Sequence, residues 1–200
     1  MKSPTKQQAT RWLMALAVSA PLFSAVGTAQ RVAIKSNLLH DATLTPNLGA
    51  ELAVGRKQTV QLSYGLNPWR FSSGRQWRHW QLIPEYRWWP CSRFNGHFFG
   101  IHGTVGEFNM AKVDFTMPFT GWPGDLDSKR YEGWNAGGGI TYGYSYILGR
   151  HWNIEAAIGV GYEYISYKKY PCKDCGTLEA RGHKNYFGPT KLSLSLVYVF

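Results

Sequence analysis

From residue 32 to the end of the chain, apolar side chains recur at every second position, the period of a strand with one apolar face. The closing stretch sets Leu192, Leu194, Leu196, Tyr198 and Phe200 against Lys191, Ser193, Ser195, Val197 and Val199. The stretch before it sets Ile154, Ile158, Val160, Tyr162 and Tyr164 against Glu155, Ala157, Gly159, Gly161 and Glu163. An earlier one sets Trp134, Ile140, Tyr142, Tyr144 and Tyr146 against Asn135, Gly137, Gly139, Thr141 and Ser145. Even-numbered positions are apolar in almost every segment. Weaker copies over residues 32–40, 48–54, 60–67, 77–88 and 97–108 bring the expected total to eight strands, an even number that suits closure by antiparallel hairpins. Pro84 has no N–H to give a ladder, so a bulge or a break is expected there.

Connection lengths alternate as well. Residues 55–57, 89–96 and 148–151 are short, while 67–76, 109–132 and 168–185 are long; only the first hairpin, through 43–46, is short on the long side. That layout is expected of an outer-membrane barrel with both termini at the short-turn, periplasmic rim. A soluble barrel with its apolar face inward is the rival, and side-chain volume separates the two. The apolar face carries Tyr64, Trp80, Tyr86, Trp88, Trp134, Tyr142, Tyr144, Tyr146, Tyr162, Tyr164, Tyr198 and Phe200. An eight-stranded lumen holds ordinary side chains or one small ligand, so these rings are expected to face outward. The expected fold is therefore all-β: an eight-stranded antiparallel up-and-down transmembrane β-barrel over residues 30–200. Trp88, Trp89, Tyr146, Trp152 and Phe200 near the short turns, and Trp69, Trp77, Trp134 and Tyr164 near the long connections, predict two aromatic girdles. The opposite face is rich in small and polar residues, with Lys35, Glu51, Glu85, Arg87, Glu155, Glu163 and Lys191 at inward parity. Charges in a narrow interior are tolerable only when paired, which predicts a lumen salt-bridge network. A proton or ion path is the functional alternative.

The start of the chain reads differently. Lys2, Lys6 and Arg11 precede an apolar run from Trp12 to Phe23, and Gly27 and Ala29 are small residues in the positions a signal peptidase reads. Residues 1–29 are expected to be a secretory signal peptide, with a membrane anchor as the rival reading. Elsewhere no apolar run approaches about 20 residues, which excludes helical transporters and channels. With 17% charged residues and 9 Trp, 12 Tyr and 10 Phe, the composition is not that of a disordered chain. The address expected is the outer membrane of a Gram-negative bacterium. Tyr198 and Phe200 at the C-terminus then form an assembly signal for the barrel-assembly machinery. Arg70, Arg75 and Arg78 interleave with Trp69, Trp77 and Trp80, a pattern that in the cytoplasm suggests nucleic acid. Outside it, the anions at hand are lipopolysaccharide phosphates, and a headgroup contact or a solvated loop is expected instead of nucleic-acid binding. The formal net charge of +10 suits either.

Cys172 and Cys175 flank two residues in the last long connection, and a loop disulfide is expected in an oxidising compartment. With His183 they make three candidate zinc ligands where a structural site wants four, so no metal and no cofactor is expected. Cys91 lies alone in a short turn, as a partly buried thiol or an intermolecular partner. His102 and Thr104 share a face at the spacing of a base and a nucleophile, but that face points inward and Thr is a poor nucleophile. No catalytic residue is expected. The enzymatic alternative is a lipid A deacylase or acyltransferase.

Two segments carry a resemblance: KSNLLHDATLTPNLGAE from Lys35 to Glu51, and PEYRWWPCSRFNGHFFG from Pro84 to Gly100. They resemble an uncharacterised family of Bacteroidetes outer-membrane proteins, and Asn67-Pro68-Trp69 and the closing strand fit the same family. The resemblance implies a barrel and supplies no activity. Such proteins are similar to ones encoded beside fimbrial genes, which implies a surface or fimbria-associated role. The function expected is that of a non-enzymatic envelope protein with a side-chain-filled lumen. Its long loops would act on an envelope or fimbrial partner, residues 109–132 above all, where Phe115, Met117, Phe119 and Trp122 are more apolar than solvation requires.

Overall fold

The alternating segments become strands, and their hydrogen-bonding edges are used up by closing on one another. The structure, a computed structural model, describes residues 32–69, 76–111, 129–171 and 178–200. The strands are β1 (Val32–Asn37), β2 (Asn47–Ala53), β3 (Gln58–Asn67), β4 (Gln76–Trp88), β5 (Gly96–Ala111), β6 (Arg130–Ile147), β7 (Trp152–Tyr170) and β8 (Ala180–Val199), with one short helix, α1 (Leu38–Ala42), after β1. Each strand pairs antiparallel with the next, and β1 returns to β8, closing an all-β barrel of eight strands. The expected signal peptide, residues 1–29, lies outside the described residues.

The wall is not level. Strand length rises from 6 residues in β1 and 7 in β2 to 19 in β7 and 20 in β8. The first segment is shorter than expected because Asn37 takes its backbone out of the ladder. Its side chain accepts from the Leu39 N–H and caps α1, so His40 sits on a helix, not in a strand. Pro84 breaks the ladder without a bulge. It stays opposite Leu62 of β3, while toward β5 the pairing stops at Leu82 and resumes at Glu85 in the same register. The irregular register lies instead between Gly159 and Val160, opposite Lys191 and Pro189, where Thr190 is the extra residue of β8.

Burial follows parity. Outward-facing Leu62, Tyr86, Tyr142, Ile158, Leu192 and their neighbours are exposed, whereas Glu51, Thr59, Arg87, Ser145, Glu155 and Val197 are buried. β5 reverses the rule along its length, as β8 does above its bulge. It pairs Arg87 with Gly100 and Gly100 with Thr141, so its even-numbered residues face in and Phe99, Ile101 and Val105 face out. The interior therefore holds rings that parity elsewhere keeps out. Trp89 and Phe98, each 0% exposed, pack with Ala157 at the short-turn end, and Phe94 lies against Trp89. Trp89 thus belongs to the interior and not to a girdle. At the other end Phe108, Tyr131 and Ile165 form a second apolar layer.

Candidate functional site: the ion-paired interior

Six of the seven inward charges expected from the sequence converge just above the Trp89–Phe98 layer, carried there by five different strands. Lys35 Nζ donates to Glu51 Oε2 at 2.6 Å and to both oxygens of Glu155 at 3.1 Å. Arg87 is the hub. Its Nη1 reaches Glu51 at 3.0 Å and Glu155 at 3.0 Å, and its Nε reaches Glu85 at 2.9 Å. Lys191 Nζ completes the set on Glu85 Oε2 at 2.5 Å. Three acids face three bases, and all are nearly solvent-free. A guanidinium offers five donors in a plane, so one Arg can hold three carboxylates at once. Its face lies on the Phe98 ring, 4.3 Å from the centroid. The remaining acceptor of Glu51 is met by Thr59 Oγ1, which in turn accepts from Trp89 Nε1 at 2.9 Å.

Glu163 does not join them. It lies higher in the lumen, where Thr104 Oγ1 donates to it at 2.9 Å, because β7 carries it eight residues along from Glu155. Between the two levels sits His102, with Nδ1 2.8 Å from Thr141 Oγ1 and Nε2 2.8 Å from Thr190 Oγ1. A neutral imidazole has one donor and one acceptor, and two hydroxyls satisfy both. His102 and Thr104, weighed as base and nucleophile, thus bond to different partners. The space for this ring comes from Gly159, where a Cβ would stand 2.7 Å from His102 Cε1. Gly143 likewise admits Phe98, whose ring edge would collide with a Cβ there. On the β1–β4 side a cavity of about 100 Å³ remains, lined by Lys35, Asn47, Gln61, Ser63 and Lys191 among others, enough for a few waters. The buried Gln61 Oε1 has no protein partner and faces that need.

Sequence reasoning placed Thr141 on the inward face but missed Thr59, Thr190, Trp89 and Phe98 as parts of the interior. Thr141 was visible in the parity of β6, whereas Thr190 points inward only because the bulge turns it there.

The other expected sites are scattered. Arg78 is exposed on the outer wall of β4 near the long-connection rim; Arg70 and Arg75 lie outside the described residues, as do Cys172 and Cys175. Cys91 is an exposed free thiol in the β4–β5 turn, more open than expected. Tyr198 stacks edge-on against Trp152 and Phe200, with centroids 5.0 and 4.9 Å away. Among the described residues no group of three or more His, Cys, Asp or Glu is placed to hold a metal, and no helix is long and apolar enough to cross a membrane. Most of the 109–132 connection, residues 112–128, is outside the described residues.

Fold and interior together define a closed antiparallel barrel with a balanced ion cluster inside it, between two apolar layers. The chain belongs to the family described as proteins of unknown function, DUF3575, whose model matches residues 12–200. No curated protein and no solved structure matches it.

Proposed function

We propose that this protein is an outer-membrane barrel of a Gram-negative bacterium that acts as a non-enzymatic surface protein, through its long-connection rim. One observation carries the reading: apolar and polar faces are inverted relative to a soluble barrel. The outer wall presents Val60, Leu62, Tyr64, Tyr86, Trp88, Phe99, Ile101, Tyr142, Ile158, Tyr162 and Leu192 all exposed, while Lys35, Glu51, Glu85, Arg87, Glu155 and Lys191 are buried inside. In water that wall would be a very large apolar patch; in lipid it is the face required. It ends at the long-connection rim on Arg78, Glu107, Glu132, Lys168 and Arg181, the height at which lipid headgroups would lie. Arg78 then contacts a lipopolysaccharide phosphate.

The plugged lumen argues against a porin or receptor channel, and the bonding of His102 by two threonines argues against hydrolysis in the lumen. Residues 1–29 would be removed on export, and Tyr198 and Phe200 would be read by the assembly machinery. The resemblance to proteins encoded beside fimbrial genes makes a fimbrial or other envelope protein the partner class.

The deciding experiment is gel mobility of the detergent-extracted outer-membrane fraction, boiled against unboiled. A heat-dependent shift is expected, because closed membrane barrels resist detergent. A soluble periplasmic protein with unchanged mobility would overturn the assignment and leave a soluble ligand-binding barrel. Deleting residues 112–128 is expected to preserve that shift and abolish capture of the envelope partner.

A further inference from the structure

Among the described residues, the uneven wall leaves a strand edge uncovered. β7 accompanies β8 up to Lys169 opposite Ala180, but β1 pairs only its residues 33–37 with 195–199. The lower part of the resulting gap is closed by specific devices. The Asn37 side chain accepts from the Leu194 N–H at 3.1 Å and donates to the Leu192 carbonyl at 3.4 Å, and α1 lies against β8. Pro189 then brings no N–H at all. Above it, residues 180–187 have a strand on the β7 side alone among the described residues. Leu192 and Leu194 turn their backbone groups toward Asn37, and the extra residue Thr190 shifts that alternation by one. The N–H and C=O groups of Arg181, His183, Asn185 and Phe187 therefore face the open edge.

We propose that residues 180–187 are a strand-addition edge that receives an extended acidic segment of another protein. Charge selects the occupant. Arg181, His183 and Lys184 are exposed along the edge, Lys168 stands directly opposite Arg181, and the nearby Glu179 is engaged by Lys129 at 2.7 Å. A second copy added antiparallel would, according to register, set Arg181 opposite the other copy's His183, or His183 or Lys184 opposite its own equivalent, and like charges across strands are repulsive. An acidic strand meets the same row favourably, and Phe187, 79% exposed, offers it an apolar anchor. This edge specifies the form of partner for the rim invoked above and rests on that reading for the side of the envelope from which the partner comes.

The test uses the full mature chain in detergent, with a synthetic peptide of alternating threonine and glutamate and a control in which lysine replaces glutamate. The acidic peptide is expected to bind and to slow amide exchange at residues 181, 183, 185 and 187, with binding weakened by salt. Asn185→Pro removes one edge donor and leaves the β7 ladder intact, so affinity is expected to fall about tenfold. Arg181→Glu is expected to transfer preference to the lysine peptide, and it serves if the proline variant does not fold. Three results would overturn the proposal: edge amides already slow in the free protein, pairing of two copies through this edge, or equal binding of both peptides. The heat-dependent gel shift, run on the same samples, reports the barrel reading separately.

Discussion

At the scale of single residues, Arg87 and its three carboxylates set the strongest constraint. Removing one partner of a buried pair leaves an uncompensated charge, so Glu51→Gln is expected to lower unfolding stability by about 3–5 kcal/mol, read from urea midpoints in detergent. Replacing the cluster with apolar residues of similar volume is expected to cost much less, because desolvation largely cancels the attraction within the native set. Gly143→Val is expected to be severe for another reason: its side chain needs the space of the Phe98 ring. Outside the strands, burial lowers the pKa of His40 below the ordinary 6.5, with the neighbouring Asp41 opposing. The neutral form is therefore favoured in the folded state. Docking of α1 is expected to be fully stable above about pH 6.5 and to weaken as the pH falls below it, because the unfolded state then binds more protons. Amide exchange across residues 38–42 against pH checks the sign.

At the scale of elements, the bulge in β8 does chemical work. Deleting Thr190 is expected to restore the register opposite Gly159 and Val160 and strip His102 of one hydroxyl, which the imidazole nitrogen resonances would report. If those resonances stay put, the bulge does not orient Thr190. Alternation and turn spacing make eight strands legible in the sequence, and parity places Lys35, Glu51, Glu85, Arg87, Glu155 and Lys191 on one face. It could not show who pairs with whom, since that depends on register between strands distant in sequence. β5 defeated simple parity because the β4–β5 and β5–β6 hairpins each pair odd with even numbers, which hid Phe98 inside. Glu163 had the right face and the wrong height: parity reports direction and says nothing of depth along the lumen. Asn37 ends β1 by capping α1, which a reading based on strand periodicity over residues 32–40 does not disclose.

At the scale of the whole molecule, the lumen is a stack: an aromatic floor, an ion layer, a histidine layer, a second apolar layer. On the reading proposed above such a stack would leave no continuous aqueous path, so the wild-type protein inserted in a planar bilayer is expected to carry no steady current. The triple variant Trp89→Gly, Phe98→Gly, Arg87→Ser is expected to pass ions, and current through the wild type would contradict a filled lumen. The seam between β1 and β8 has a consequence in time. It joins the first strand to the last, 33–37 to 195–199, through a short ladder of five paired residues, and ordering so long a span costs the most entropy of any pairing in the barrel. Neighbouring strands can zip locally, whereas this last clasp must wait for all of them. Insertion should therefore be slow at a single late step, and a longer β1 would act on the clock of biogenesis more than on the finished barrel.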